Sequence, residues 1–193
     1  MRARHSSRSE VVGQGLGLRG SRAGFSLVEL LVAATLIVVA LTGIAGSMLS
    51  SMALNRVNRD TALAQQAACR ALEELRSVPF EEAFFVYNAT QGDNPGGTVP
   101  ERGPNFAVPG LTPLASDLDG LVGQIEFPVV DDELREDVED EGLGMPRDLN
   151  GDLAIDGLDH SEDRLLLPVR VRLEWRGVTG TRQLEMETML CAR

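Results

Sequence analysis

The chain has 193 residues, enough for one ordinary domain with additions, and 43% of them are hydrophobic, which excludes wholesale disorder. Its 29 acidic residues against 18 basic ones give a net charge of −11, which repels phosphate backbones and argues against nucleic acid as a partner. With 4% aromatic residues and two histidines, stacking platforms and histidine-rich metal centres are scarce.

Residues 1–24 carry Arg2, Arg4, Arg8, Arg19 and Arg22 against the single acid Glu10, whereas the rest of the chain is strongly acidic. A basic head before an apolar run and an acidic body is the layout of a single-pass membrane chain whose start stays in the cytoplasm. From Leu30 to Asn55 there is no ionisable side chain, and Leu, Val, Ile, Ala and Met dominate. A helix crosses a bilayer with about 20 such residues. A secretory signal has an apolar region of only about 7 to 15 residues, so this run is too long for one.

Glu29 interrupts the start of the run, after Phe25, Ser26, Leu27 and Val28. A carboxylate in hydrocarbon costs about 2.5 to 3.5 kcal/mol on insertion scales and calls for a partner. The stretch Gly24-Phe25-Ser26-Leu27-Val28-Glu29, followed by Leu30-Leu31-Val32-Ala33-Ala34, resembles the processing site of type IV pilins and of the pseudopilins of type II secretion systems. The resemblance implies that a membrane prepilin peptidase cuts after Gly24 and methylates the new amino terminus at Phe25. It also implies assembly with other pilin or pseudopilin subunits on an inner-membrane platform. The chemistry is coherent, because the ammonium created at Phe25 and the Glu29 carboxylate of an adjacent subunit would neutralise each other in lipid and set the axial step. Gly46 stands where major pilins often carry a helix-breaking proline.

The helix is expected to continue past the membrane. Residues 55–78 place Val57, Ala64, Ala68, Ala71, Leu72 and Leu75 on one stripe, and Pro79 ends the pattern. Residues 88–116 are punctuated by Pro and Gly and read as a surface loop. Strand signals return at Leu121 to Val130. They are clearest where Val169, Val171, Leu173 and Trp175 alternate with polar residues, before a turn at Gly177-Val178-Thr179-Gly180. Leu184, Met186, Thr188 and Leu190 continue the alternation, so the pair reads as a hairpin with one wet face and Trp175 in the core.

Between the strands, residues 117–163 concentrate most of the negative charge. The acidic run from Asp131 to Glu141 has no ligand spacing and reads as a solvated loop. Residues 148–159 differ: Asp148, Asn150, Asp152, Asp156 and Asp159 occupy the first, third, fifth, ninth and twelfth places of a calcium loop, with the carbonyl of Ala154 at the seventh. The stretch is similar to the EF-hand-type loops of dockerin modules, except that Leu153 stands where glycine makes the sharp turn. His160 adjoins this loop and reads as a bystander. Cys69 and Cys191 are the two cysteines, with a helix-to-strand bridge and two separate thiols both open.

The sequence thus describes an α+β, pilin-like chain: a basic leader (1–24), a transmembrane helix (25–54), its amphipathic continuation (55–78) and an extracytoplasmic β domain (79–193) with an acidic insertion at 131–163. The expected function is that of a minor pilin or minor pseudopilin with structural Ca²⁺. The alternative is a monomeric, membrane-anchored calcium-binding module that forms no filament. No spacing of Ser, His and Asp suggests a catalytic nucleophile, so an enzyme is not expected.

Overall fold

The computed structural model describes Gly24 and residues 26–192. The leader, including Phe25 at the expected cleavage and methylation point, lies outside the described residues apart from Gly24. The described residues fall into two compact units that divide after Ser47.

Helix α1, Leu27–Ser77, contributes to both units. In the first, its side chains are those a lipid-facing helix needs: Leu30, Leu31, Leu36, Ile37, Val39 and Leu41 are all exposed. Its one acid is Glu29 in the first turn, where the unsatisfied amides of a helix start favour negative charge. The hydroxyls of Thr35 and Thr42 donate to the carbonyls of Val32 and Val39 at 2.8 Å each, which leaves neither donor unsatisfied in hydrocarbon.

In the second unit, the expected stripe becomes the core face of the helix. Ala64, Ala68, Ala71, Leu72 and Leu75 are buried, and Val57 is half-buried. These residues share one hydrophobic core with the inward face of a sheet. That sheet is antiparallel, in the order β1 (Asn105–Phe106), β2 (Gly123–Glu126), β5 (Leu166–Gly177) and β6 (Gly180–Cys191). Strand β5 is central, which is why its inward residues Val169, Val171, Leu173 and Trp175 are all buried. Strand β6 is outermost, and its alternating Leu184, Met186, Thr188 and Leu190 are only half-buried. The opposite face is a lattice of cross-strand charges in which Arg170 faces Glu126 and Glu187, and Arg172 faces Glu185.

The structure adds elements the periodicity did not reveal. Pro79 ends α1 but starts a second helix, α2 (Phe80–Tyr87), since a fixed φ suits a helix entry. Almost every residue of α2 from Glu82 onward is buried, so it shows no amphipathic period. Phe84 stacks edge-on against Phe85 and Phe127, with centroids 5.4 and 5.3 Å apart. Arg164 lies over the rings of Phe80, Phe84 and Phe85 and donates to the carbonyls of Phe80 and Glu81. Burial brings its pKa down to about 10, so the guanidinium stays charged.

The Pro- and Gly-rich segment is a surface loop for most of its length, but it contributes β1 as an edge strand. Glycine at position 123 lets the ring of Phe106 lie directly on the strand, where a Cβ would collide with it. Glu82 anchors the loop by accepting bonds from the amides of Thr98 and Val99, the Thr98 hydroxyl and the Asn94 side chain. The expected strand over Leu121 to Val130 is broken after Glu126, and β3 (Val129–Val130) pairs separately with β4 (Glu133–Leu134). Asp131 and Asp132 form their two-residue turn with φ of 52° and 67°, the left-handed values this tight hairpin requires.

Cys69 and Cys191 are free and exposed, and the structure does not join them. Cys191 lines a surface pocket with Leu75, Arg76, Val78 and Phe80, and Cys69 is not among the residues of that pocket.

Candidate functional site

Two regions carry the residues singled out in the sequence. The first is the start of α1. Gly24 and Ser26 are exposed, and the Ser26 carbonyl accepts the amide of Leu30 at 3.1 Å, so the helical ladder is already running when Glu29 enters it. Glu29 is exposed among apolar neighbours that are exposed as well, and the helix contains an apolar window of mean hydropathy 2.5, long enough to cross a membrane. Such a helix offers a lipid-facing surface with a carboxylate near one end.

The second region is the acidic insertion. Asp148 receives the amides of Gly151 and Leu153, Asn150 that of Asp152, and Asp152 that of Ala154. These Asx turns coil residues 148–154 tightly. Leu153 takes φ of 71°, the conformation for which glycine is the usual choice.

The oxygens of Asp159, the intended closing ligand, receive the amides of Leu134 and Ser161 and the Ser161 hydroxyl. Its carboxylate thereby fastens the end of the insertion to β4. Among the described residues, the side chains that converge are Glu136, Asp156 and His160, whose ligand atoms all lie within 4.8 Å of one another. The six donors predicted for calcium thus contribute one member, Asp156, to this cluster.

The model of the prokaryotic N-terminal methylation motif matches residues 19–45. The chain carries the type IV pilin and pseudopilin signature. The matched segment contains Gly24, Phe25 and Glu29 and ends inside α1, so the pilin-type signature and the membrane-length helix coincide. A long amino-terminal helix with a four-stranded antiparallel sheet is consistent with the pilin-like fold. No curated protein and no solved structure matches the chain. The signature and the apolar helix fit a membrane-anchored, single-pass protein.

Sequence reasoning missed Glu136 and misjudged His160. Glu136 belongs to the run read as solvated, yet it is 1% exposed and receives the amides of Leu149 and Asn150 at 2.5 and 3.3 Å. His160 is 4% exposed, with Nδ1 3.1 Å from Asp163 and Nε2 3.2 Å from Asp156, so it is the buried centre of the insertion rather than a bystander.

Burial by itself disfavours the charged ring of His160. The bonds to Asp156 and Asp163 and the charge of Glu136 together outweigh it and raise the pKa above its usual value near 6.5. A raised folded-state pKa gives a stabilisation that is fully present below the unfolded value and lost as pH rises through the folded one. With metals chelated, unfolding of the full chain in detergent is expected to become easier from pH 6 to pH 8, and His160→Gln to flatten that slope. An unchanged slope in the variant would show that another group controls it.

Proposed function

We propose that the protein is a minor pilin or minor pseudopilin. It is made as an inner-membrane precursor with its amino terminus in the cytoplasm, cleaved after Gly24 by a prepilin peptidase, methylated at Phe25 and assembled through α1 into a pilus or pseudopilus. The observation that carries this reading is the methylation motif at residues 19–45, set at the head of a helix apolar enough to span a membrane. In the filament, the Phe25 ammonium of one subunit and the Glu29 carboxylate of its neighbour convert two buried charges into one pair. The domain from residue 48 onward follows as the extracytoplasmic body. Its charge-lined sheet face and acidic insertion distinguish this subunit's surface.

Amino-terminal mass spectrometry of protein from its native membrane tests the proposal. The expected result is a chain beginning with N-methylated Phe25, shorter by the 24 residues of the leader. A chain that retains Met1 through Gly24 would favour the monomeric membrane anchor instead.

A further inference from the structure

The His160 ring is enclosed by three acids: Asp163 Oδ1 stands 3.1 Å from Nδ1, Asp156 Oδ1 3.2 Å from Nε2, and Glu136 Oε2 3.9 Å from Nε2. A neutral imidazole has one N–H. If Nδ1 donates it to Asp163, Nε2 turns a lone pair toward two anionic oxygens, and the arrangement is repulsive until a positive charge stands between them.

A proton on Nε2 satisfies Asp156 but leaves Glu136 at 3.9 Å, beyond hydrogen-bonding reach. That oxygen of Glu136 receives the Asp156 amide at 3.4 Å, near the outer limit of a hydrogen bond, on a side chain that is 1% exposed. Three carboxylates around one imidazolium also leave a net negative charge, and a buried carboxylate without full compensation is costly.

A divalent ion removes both difficulties. Ligand atoms each about 2.1 Å from an ion stand up to about 4.2 Å apart, a span that includes the 3.2 and 3.9 Å separations from Nε2. One imidazole nitrogen and two carboxylate oxygens favour a transition metal, since Ca²⁺ takes about six to eight oxygen ligands. Asp163 on Nδ1 supplies the outer carboxylate that fixes the tautomer and aims the other nitrogen at a metal.

We propose that Glu136, Asp156 and His160 form a binding site for a divalent transition-metal ion, with Asp163 orienting the ring. The site is structural. It ties the segment after β4 to the 148–163 loop, and it is independent of filament assembly.

The test uses the full chain in zwitterionic nanodiscs, stripped with chelator and carrying His5→Ala so that His160 is the sole histidine. One equivalent of Zn²⁺ is expected to bind and raise the melting temperature, and Co²⁺ to give visible absorption bands. X-ray absorption of the zinc-loaded protein should show imidazole in the shell. Asp156→Asn, at a half-exposed position, and His160→Gln should each weaken Zn²⁺ at least ten-fold, while Asp148→Asn with Asp152→Asn should not. Three results would overturn the proposal: no Zn²⁺ uptake, an all-oxygen shell, or uptake indifferent to Asp156 and His160. A melting shift seen with Ca²⁺ alone and lost in the Asp148 and Asp152 variant would assign the ion to the calcium loop instead.

Discussion

Glu29→Gln is expected to lose its leader as the parent does and then to be missing from filaments, with at least a ten-fold drop in the sheared fraction relative to the membrane fraction on immunoblots. In the proposed pathway, cleavage depends on the Gly24-Phe25 junction, which the substitution leaves intact, and assembly depends on charge. Glutamine keeps the size and hydrogen-bonding capacity of Glu29, but it cannot neutralise an ammonium in lipid, where an unpaired charge costs about 2.5 to 3.5 kcal/mol. That cost corresponds to a factor of roughly one hundred in an equilibrium constant, so a modest effect is not anticipated. Glu29→Asp keeps the charge on a shorter arm and should restore part of the yield. Filaments at parental yield with Gln at this position would show that the carboxylate takes no part in subunit pairing.

Phe84→Ala is expected to destabilise the unit from Met48 onward by about 3 to 5 kcal/mol, the range for truncating a buried aromatic side chain. Phe84 is 1% exposed and is the ring on which Phe85, Phe127 and Arg164 converge. Removing it opens a cavity between α2 and the β2 region and strips an aromatic face from a buried guanidinium. Trp175 is the chain's single tryptophan and is itself buried, so its fluorescence during urea unfolding of the full chain reports the loss directly. Phe80→Ala, at a half-buried position beneath the same arginine, should cost less than half as much. A loss below about 1 kcal/mol for Phe84→Ala would place α2 outside the cooperative core.

Legibility varied with the kind of signal each segment carries. The alternation at Val169, Val171, Leu173 and Trp175 is periodic because one face of a strand meets the core and the other faces the solvent side, and the central strand β5 obeys it from Val169 to Arg176. The stripe from Ala64 to Leu75 is legible for the corresponding reason at helical spacing. Helix α2 was not, because an element buried on nearly all sides leaves no contrast between faces for a period to express. Strand β1 was hidden because it is two residues long, too short for a period to show.

The acidic insertion shows the same division within one site. The 148–159 spacing correctly marked a tightly turned loop, since Asx turns are made by neighbours in sequence. It did not reveal the cluster of Glu136, Asp156 and His160, because Glu136 comes from a separate segment, while Asp159 accepts the amides of Leu134 and Ser161.

By itself, then, the sequence determined the signature segment, the membrane-length helix and the antiparallel hairpin, each of which is written in consecutive residues and needs only local geometry and the contrast between lipid, water and core. Only the tertiary structure decided that α2 is a core element, that Cys69 and Cys191 stay apart, and that His160 gathers Glu136, Asp156 and Asp163. Those outcomes depend on which distant segments meet. Residues separated by tens of positions are brought together by burial of the whole domain, and spacing along the chain does not encode that.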